Sequence, residues 1–313
     1  TISSVQQAYY ELAFARDNVR VQAASLELAE KLAADNKRRV EVGALAPLDE
    51  KQSESQVAAR RSDLLSARRD LEIQMNTIKS LLGDDFGSWS AVALEPVDKL
   101  LALPQTLNAQ DSWRTGMALR PDLLSAKESV ERQNIVLSYN YNQLFPSLDL
   151  SLTYGHNGIG QTLPNGLNGL QRGNNQFYSY GLVLSFPLNN TTAKNNYKAG
   201  KVQKELLLLQ LKQLEQRAIV EIDNAVKQAR TAYEKIESTR QARLYAEAAL
   251  DAEEKKLENG RSTSFFVLQL QRDLTAARSA EIRALADYNK ALSNLSLSEG
   301  TTLDKANISM EFK

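Results

Sequence analysis

Few residues in this chain have a type and spacing that could do chemistry. His156 is the only histidine, it stands beside Gly155, and there is no cysteine anywhere. A metal site needs several such ligands together, so a lone histidine reads as a solvated loop residue. Asp84-Asp85 and Glu253-Glu254 are adjacent carboxylates. General acid–base work needs an apolar pocket that drives two carboxyl pKa values apart, and neither pair lies in a stretch that builds one. Both pairs are expected on solvated helix faces or ends. The sequence has no Gly-rich phosphate loop, no nucleophile elbow and no H-E-x-x-H zinc helix. No catalytic residue, cofactor or metal is therefore expected. Lys and Arg together number 38 and so do Asp and Glu, for a net charge of +0, and the two signs are interspersed throughout. No basic field draws the chain to nucleic acid.

With chemistry set aside, the elements become the subject. The composition is rich in helix formers, with 14 Gly and 7 Pro among 313 residues. No stretch approaches the roughly 18 apolar residues of a membrane-spanning helix. Residues 1–42 hold neither Pro nor Gly, and Val5, Tyr9, Leu12, Val19, Ala23 and Leu26 fall mostly at helical steps. Gly43 to Pro47 interrupts the pattern and residues 48–82 resume it, which predicts an antiparallel helical hairpin over 1–83 closed by Gly83 as a C-cap. Residues 84–108 contain Gly87, Pro96 and Pro104 and read as an irregular connector. A helix broken at Arg120-Pro121-Asp122 fills 109–143.

The pattern then changes period. Ser147 to Tyr154 alternates polar and apolar residues, and a second alternation places Tyr178, Tyr180, Leu182, Leu184, Phe186 and Leu188 on one face. Residues 144–188 therefore read as a β-hairpin with a long polar loop over 155–176. From about Thr192 to Glu258 the helical pattern is nearly unbroken, on the order of 100 Å at about 1.5 Å per residue. Within it Ile219, Ile222, Val226, Ala229, Tyr233 and Ile236 form a coiled-coil seam. Asn259-Gly260 turns the chain into a last helix over 263–297, so that 189–300 makes a second hairpin. The tail over 301–313 offers at most a short strand at 308–312.

The two hairpins superpose without a gap at a shift of 217 residues. Gly43 falls on Gly260, Gly83 on Gly300, Gln52 on Gln269, Arg61-Ser62 on Arg278-Ser279 and Asp70 on Asp287. Duplication of a supersecondary unit accounts for this frame better than coincidence does. The expected fold class is mainly α: long antiparallel coiled-coil helical hairpins in an internal repeat, with one β-hairpin.

Certain short motifs, in order along nearly the whole chain, carry a resemblance. They are Glu41-Val42-Gly43 followed by Leu48-Asp49; Arg120-Pro121-Asp122-Leu123; Phe145-Pro146-Ser147-Leu148; Ser185-Phe186-Pro187-Leu188; and Glu258-Asn259-Gly260-Arg261. In these the chain resembles the outer-membrane efflux protein family, the TolC-like channel subunits of tripartite efflux pumps and type I secretion systems. The resemblance implies a homotrimer in a Gram-negative outer membrane. Its β-barrel would sit in outer-membrane lipid and its α-helical tunnel would cross the periplasm. The implied partners are a periplasmic adaptor (a membrane fusion protein) and an inner-membrane transporter, with no nucleic acid. It also implies that a further helix and a first strand pair precede Thr1, and that this stretch alone is a monomer or a loose oligomer. Asn189-Asn190-Thr191-Thr192 stands where the family usually has a Gly-rich turn.

The resemblance gives the two patterns roles. An outer-membrane strand needs about 9–11 residues, apolar outward and polar inward. Leu148, Leu150, Leu152 and Tyr154, with Tyr178, Tyr180, Leu182, Leu184 and Phe186, would face lipid, while Ser147, Asp149, Ser151 and Thr153 would face a wet lumen. The turns at Gly43 and Gly260 become equivalent periplasmic tips. Asp49 matches an acidic residue of the first tip, with Gln52 one turn on. At the second, beyond Arg261, Phe266 and Gln269 stand where some members carry aspartates, so an apolar constriction at Phe265 or Phe266 competes with plain helix packing. The alternative reading is a soluble periplasmic coiled-coil scaffold or adaptor. Adaptors set such hairpins between β-domains of many short strands, and only two strands are predicted here.

Overall fold

A computed structural model describes residues 1–83, 86–173 and 175–309. Asp84-Asp85 and most of the tail strand expected over 308–312 lie outside them. The chain divides into two compact units, Thr1–Pro121 with Glu215–Lys313, and Asp122–Leu214.

In the first unit, α1 (Ile2–Glu41) turns back into α2 (Pro47–Leu82), and the long α7 (Thr191–Glu258), which enters both units, turns back into α8 (Ser264–Glu299). The repeat is visible in the boundaries. At the shift of 217 residues the end of α1 falls on the end of α7, and both ends of α2 fall on those of α8, each 36 residues long. The equivalence fails at one point. Gly300 caps α8 in the left-handed region (φ 75°), whereas Gly83 is extended (φ −165°). Gly83 thus stands at the C-cap of α2 as expected, with extended backbone in place of a left-handed turn.

α1 packs on both α2 and α8, so it buries two lines of residues instead of one stripe. Ala8 and Leu12 meet Met75 and Ile78 of α2. Leu32 joins Leu250 and Leu257 of α7 and Val267, Leu268 and Leu274 of α8. Ala23, expected on the stripe, is exposed because neither contact line passes through it. On α7, Ile222, Ala225 and Val226 are buried with Leu295. Tyr233 stays 41 % exposed, yet its ring reaches Tyr288 at 5.4 Å.

The connector holds a one-turn helix α3 (Phe86–Trp89) and then runs irregularly to α4 (Ala109–Leu119). A segment without ladder partners must satisfy its carbonyl groups elsewhere. Here helix side chains supply the donors. Lys79, itself buried, donates to the Ser90 carbonyl at 2.9 Å, Tyr288 to that of Leu103 at 2.7 Å and Asn289 to that of Leu101 at 3.1 Å. Arg16 reaches the Pro96 carbonyl and Arg230 that of Leu107. Gly116 of α4 lies so close to α7 that a Cβ would stand 2.4 Å from Cδ1 of Ile222.

In the second unit, α5 (Pro121–Asn142) leads to β1 (Ser147–His156), α6 (Leu163–Gln171) and β2 (Gln176–Ser185), and the chain then enters α7. Gln133 donates to the Gly200 carbonyl at 3.1 Å, and Tyr141 faces Tyr197 at 5.6 Å. Asn190 takes φ 40°, a left-handed conformation that asparagine tolerates, and its amide donates to the carbonyls of Gln143 and Leu144. This explains how Asn189-Asn190 can replace a Gly-rich turn. α6 was not expected, because the loop's Gly and Asn content hides a helical spacing of three leucines.

Candidate functional site: helical tips, inner seam and strand pair

Both tip turns are built the same way. At the first, the Gly43 N–H donates to the Val40 carbonyl (2.9 Å) and the Ala44 N–H to that of Arg39 (2.7 Å); at the second, Gly260 donates to Leu257 (3.1 Å) and Arg261 to Lys256 (2.8 Å). These are Schellman caps. Each needs a left-handed residue, and the glycines supply it at φ 75° and 70°. The following helix also starts alike, but only the first start has an acidic clasp, where the Asp49 carboxylate accepts from the Ala46 N–H at 3.3 Å. Ser53, fully buried, donates to the carbonyls of Asp49 and Glu50.

The tips are joined to one another. Arg39 Nη1 donates to the Leu257 carbonyl at 3.4 Å, and Ser264 Oγ to Asn36 Oδ1 at 2.9 Å. Gly43, Gln52, Gly260, Arg261 and Gln269 are exposed, and Asp49 is half-buried. Phe265 and Phe266 are 51 % and 54 % exposed and pack edge-to-face on each other at 5.7 Å. The core contacts beside them come from Val267 and Leu268. About half of each ring's residue surface stays open at the tip.

A feature the sequence reading missed runs away from the tips between α1 and α8. Thr275 Oγ1 donates to Ser25 Oγ at 2.9 Å, Ser279 Oγ to Asn18 Oδ1 at 3.0 Å, and Ser293 Oγ to Gln6 Oε1 at 2.6 Å. Glu11 accepts from Arg283 (2.9 Å) and Lys290 (2.6 Å). Burial by itself raises the Glu11 carboxyl, but hydrogen bonds and charge from Lys290 and Arg283 outweigh it and hold the group below its ordinary value. Polar contacts thus recur along the inner seam from Gln6 to Asn36, with the apolar cluster around Leu32 set among them near the tips. The signal was present in the sequence, since Glu11, Asn18 and Ser25 recur every seven residues on one face of α1.

The strand register sorts the two faces. Leu148 pairs with Leu184, Leu150 with Leu182, Leu152 with Tyr180 and Tyr154 with Tyr178, so the expected apolar residues meet across the ladder. All eight are more than half exposed, which makes one contiguous apolar face. Ser147, Asp149, Ser151 and Thr153 oppose Ser185, Val183, Gly181 and Ser179 on the other. Phe186 departs from expectation. The ladder closes at Ser147 and Ser185, because Pro187 restricts the preceding backbone and has no N–H to donate. Phe186 is exposed just beyond the strand. His156 is also not a solvated loop residue. It is the last residue of β1, with its Nε2 3.0 Å from the Tyr154 hydroxyl and its ring 5.2 Å from that of Tyr154.

The chain thus combines a duplicated helical hairpin with matched tips and a strand pair apolar on one face. The family model described as outer membrane efflux protein matches residues 1–84 and 117–301. The chain belongs to the outer membrane efflux protein family. Members of this family lie in the outer membrane of Gram-negative bacteria, with a helical portion in the periplasm. Outside the match lie residues 85–116, which hold the irregular connector and most of α4, and the tail over 302–313. The chain is 25 % identical over 293 residues to the pyoverdine export outer membrane protein OpmQ of Pseudomonas aeruginosa, a match that covers 90 % of this chain. It spans 57 % of that protein's length. Its fold is similar to a membrane protein of Pseudomonas aeruginosa (TM-score 0.79, 21 % identity, 95 % of this chain and 67 % of the other). It is also similar to the outer membrane protein VceC of Vibrio cholerae (TM-score 0.77, 19 % identity, 95 % and 69 %). These efflux-family folds agree with the mainly helical class read from the sequence, α-helical barrel and β-barrel part included.

Proposed function

We propose that the chain is the greater part of a subunit of an outer-membrane exit duct, serving a tripartite efflux pump or a type I secretion system. Three copies close the barrel and the tunnel. A periplasmic adaptor docks at the helical tips and couples the duct to an inner-membrane transporter, which supplies the energy. The observation that carries this reading is the pairing of two like Schellman tips at one end of the hairpins with a ten-residue strand pair, apolar on a single face, elsewhere in the chain. The exposed small residues Ala58, Ala59, Ala248, Ala249 and Ala276 leave helix faces that a neighbouring subunit can approach closely.

The residues at the tips then have distinct parts. Gly43 and Gly260 set the turns, Asp49 fixes the start of α2, and Gln52, Gln269 and Arg261 present polar groups outward. Phe265 and Phe266 from three subunits form an apolar ring that restricts water and ions when the tips are drawn together. Opening separates the tips along the α1–α8 seam, where polar contacts can be exchanged for water at small net cost. An adaptor or scaffold reading is disfavoured by the one-sided apolar exposure of the strand pair, which a soluble protein would cover. The deciding experiment uses the full-length protein, purified in detergent and inserted into a planar bilayer. A trimer with discrete conductance steps is expected; a protein that is soluble without detergent and forms no pore sinks the reading.

A further inference from the structure

Residues 157–173, which follow β1, are not a loose loop. Gly158 and Gly160 lie against the backbone of α6, so close that a Cβ on Gly158 would stand 2.3 Å from the Gly166 carbonyl oxygen and one on Gly160 2.5 Å from the Gly166 nitrogen. Only glycine permits that approach. It holds the incoming chain on the glycine side of α6 and leaves another side bare. Leu163 and Leu167 stand on that bare side, and Leu170, three residues on in the same stripe, borders it with one flank against Gly158. They are 80 %, 57 % and 44 % exposed, and Ile159 beside them is 75 % exposed. Asn165 and Asn168 lie opposite. A polar loop built for water has no reason to fold so as to display its leucines.

We propose that α6 is an interfacial helix whose Leu163–Leu167–Leu170 face seats in the acyl-chain margin of the lipid around the strand pair. The inference rests on the outer-membrane reading of β1 and β2. Three observations choose lipid as the occupant. The loop leaves the strands at Tyr154, His156, Tyr178 and Tyr180, an aromatic cluster on the apolar face with Tyr154 and Tyr178 at 5.2 Å, which is where an aromatic girdle marks the interface. The apolar stripe therefore continues an apolar surface that already begins on the strands. Second, α6 carries no ionisable residue, so its insertion desolvates no charge. Third, the one charged residue of the loop, Arg172, follows the helix and is exposed. A cation at that level suits the anionic phosphates of lipid headgroups, with the apolar face buried about 5–10 Å below them. The opposite strand face carries Ser, Thr, Gly and Asp149, with Phe177 and Val183 as its only large apolar residues, so it offers the leucines a smaller apolar seat than the lipid-facing side does.

The chain has no cysteine, so single reporters can be placed cleanly. A fluorescent bimane is attached to Leu163→Cys, Leu167→Cys, Asn165→Cys and Leu150→Cys in the full-length trimer on a cysteine-free background. The trimer is then reconstituted in phosphatidylcholine vesicles with brominated acyl chains. Leu150 reports whether the strands face lipid, independently of the helix. Positions 163 and 167 are expected to lose emission to brominated lipid as position 150 does, while 165 is quenched by aqueous iodide. If position 150 is quenched by lipid and 163 and 167 are quenched by iodide, or by neither agent as in a plugged lumen, the interfacial helix is overturned and the barrel reading survives. If position 150 fails to quench, the barrel reading itself falls.

Discussion

Ser264, the first residue of α8, donates its hydroxyl to the buried side-chain oxygen of Asn36 at 2.9 Å, while the Asn36 amide nitrogen finds no partner among the described residues. One half of a buried amide is thus satisfied and the other is not, one turn from the tip of α1. The contact lies where α1, the end of α7 and the start of α8 meet, and it belongs to the seam that must part if the tips separate.

Removing the hydroxyl should therefore be costly. Ser264→Ala strips Asn36 of its remaining hydrogen bond and leaves a buried amide unpaired at both ends, for about 1–3 kcal/mol. Combining Ser264→Ala with Asn36→Leu removes both buried polar groups and should recover most of that loss. Thermal or denaturant unfolding of both variants checks this. A Ser264→Ala protein as stable as the parent would show that the bond contributes nothing.

Glu11 gives the seam a pH dependence. Its carboxyl is held below its ordinary value in the folded chain, because Lys290 and Arg283 outweigh the effect of burial. A depressed folded pKa means that the stabilisation is complete above the unfolded value, about 4.3. It is lost as pH falls through the folded value. Stability measured from pH 7 downward should fall more steeply for the parent than for Glu11→Gln, which is already weakened at pH 7. Parallel curves would refute the assignment.

Most of the helical frame was legible because its signals are local. Gly43 and Gly260 sit at the ends of apolar runs, and a left-handed cap needs no knowledge of the tertiary fold. The strand pair was legible for the same reason, since alternation of period two is written in ten consecutive residues. The α1–α8 seam was not, because Ser25 and Thr275, or Asn18 and Ser279, look like ordinary solvated residues until two helices 250 residues apart in sequence are placed side by side. Gly83 marked the end of α2 but not its backbone, because a glycine after a helix signals an end and not a conformation. α6 was hidden because Gly and Pro within it are read as breakers, although Pro164 stands in the first turn, where it is tolerated.

The tip glycines should respond alike. Nothing lies within 4 Å of a Cβ at Gly43 or Gly260, so alanine meets backbone strain and no clash. Gly43→Ala and Gly260→Ala should each cost about 1–2 kcal/mol. Gly116→Ala is different in kind, since its φ is helical and its cost comes from Ile222, at about 1–3 kcal/mol. Pairing Gly116→Ala with Ile222→Val should recover part of that loss, and no such rescue exists for the tips. Unfolding free energies of the four variants test the distinction.

The strand faces make the last prediction. Leu150 and Leu182 are register partners near the middle of the ten-residue strands, and both are about two-thirds exposed. In lipid, a charge at that depth costs about 2–4 kcal/mol, falling toward zero near the interfaces. Leu150→Arg should therefore reduce the amount of trimer assembled in outer membranes. Ser151→Arg, one residue along but on the opposite face, should assemble normally and alter conductance or ion selectivity instead. Heat-modifiable trimer on gels and single-channel recording separate the two effects. Equal loss of trimer from both substitutions would mean that the two faces of the strand pair are not divided between lipid and lumen.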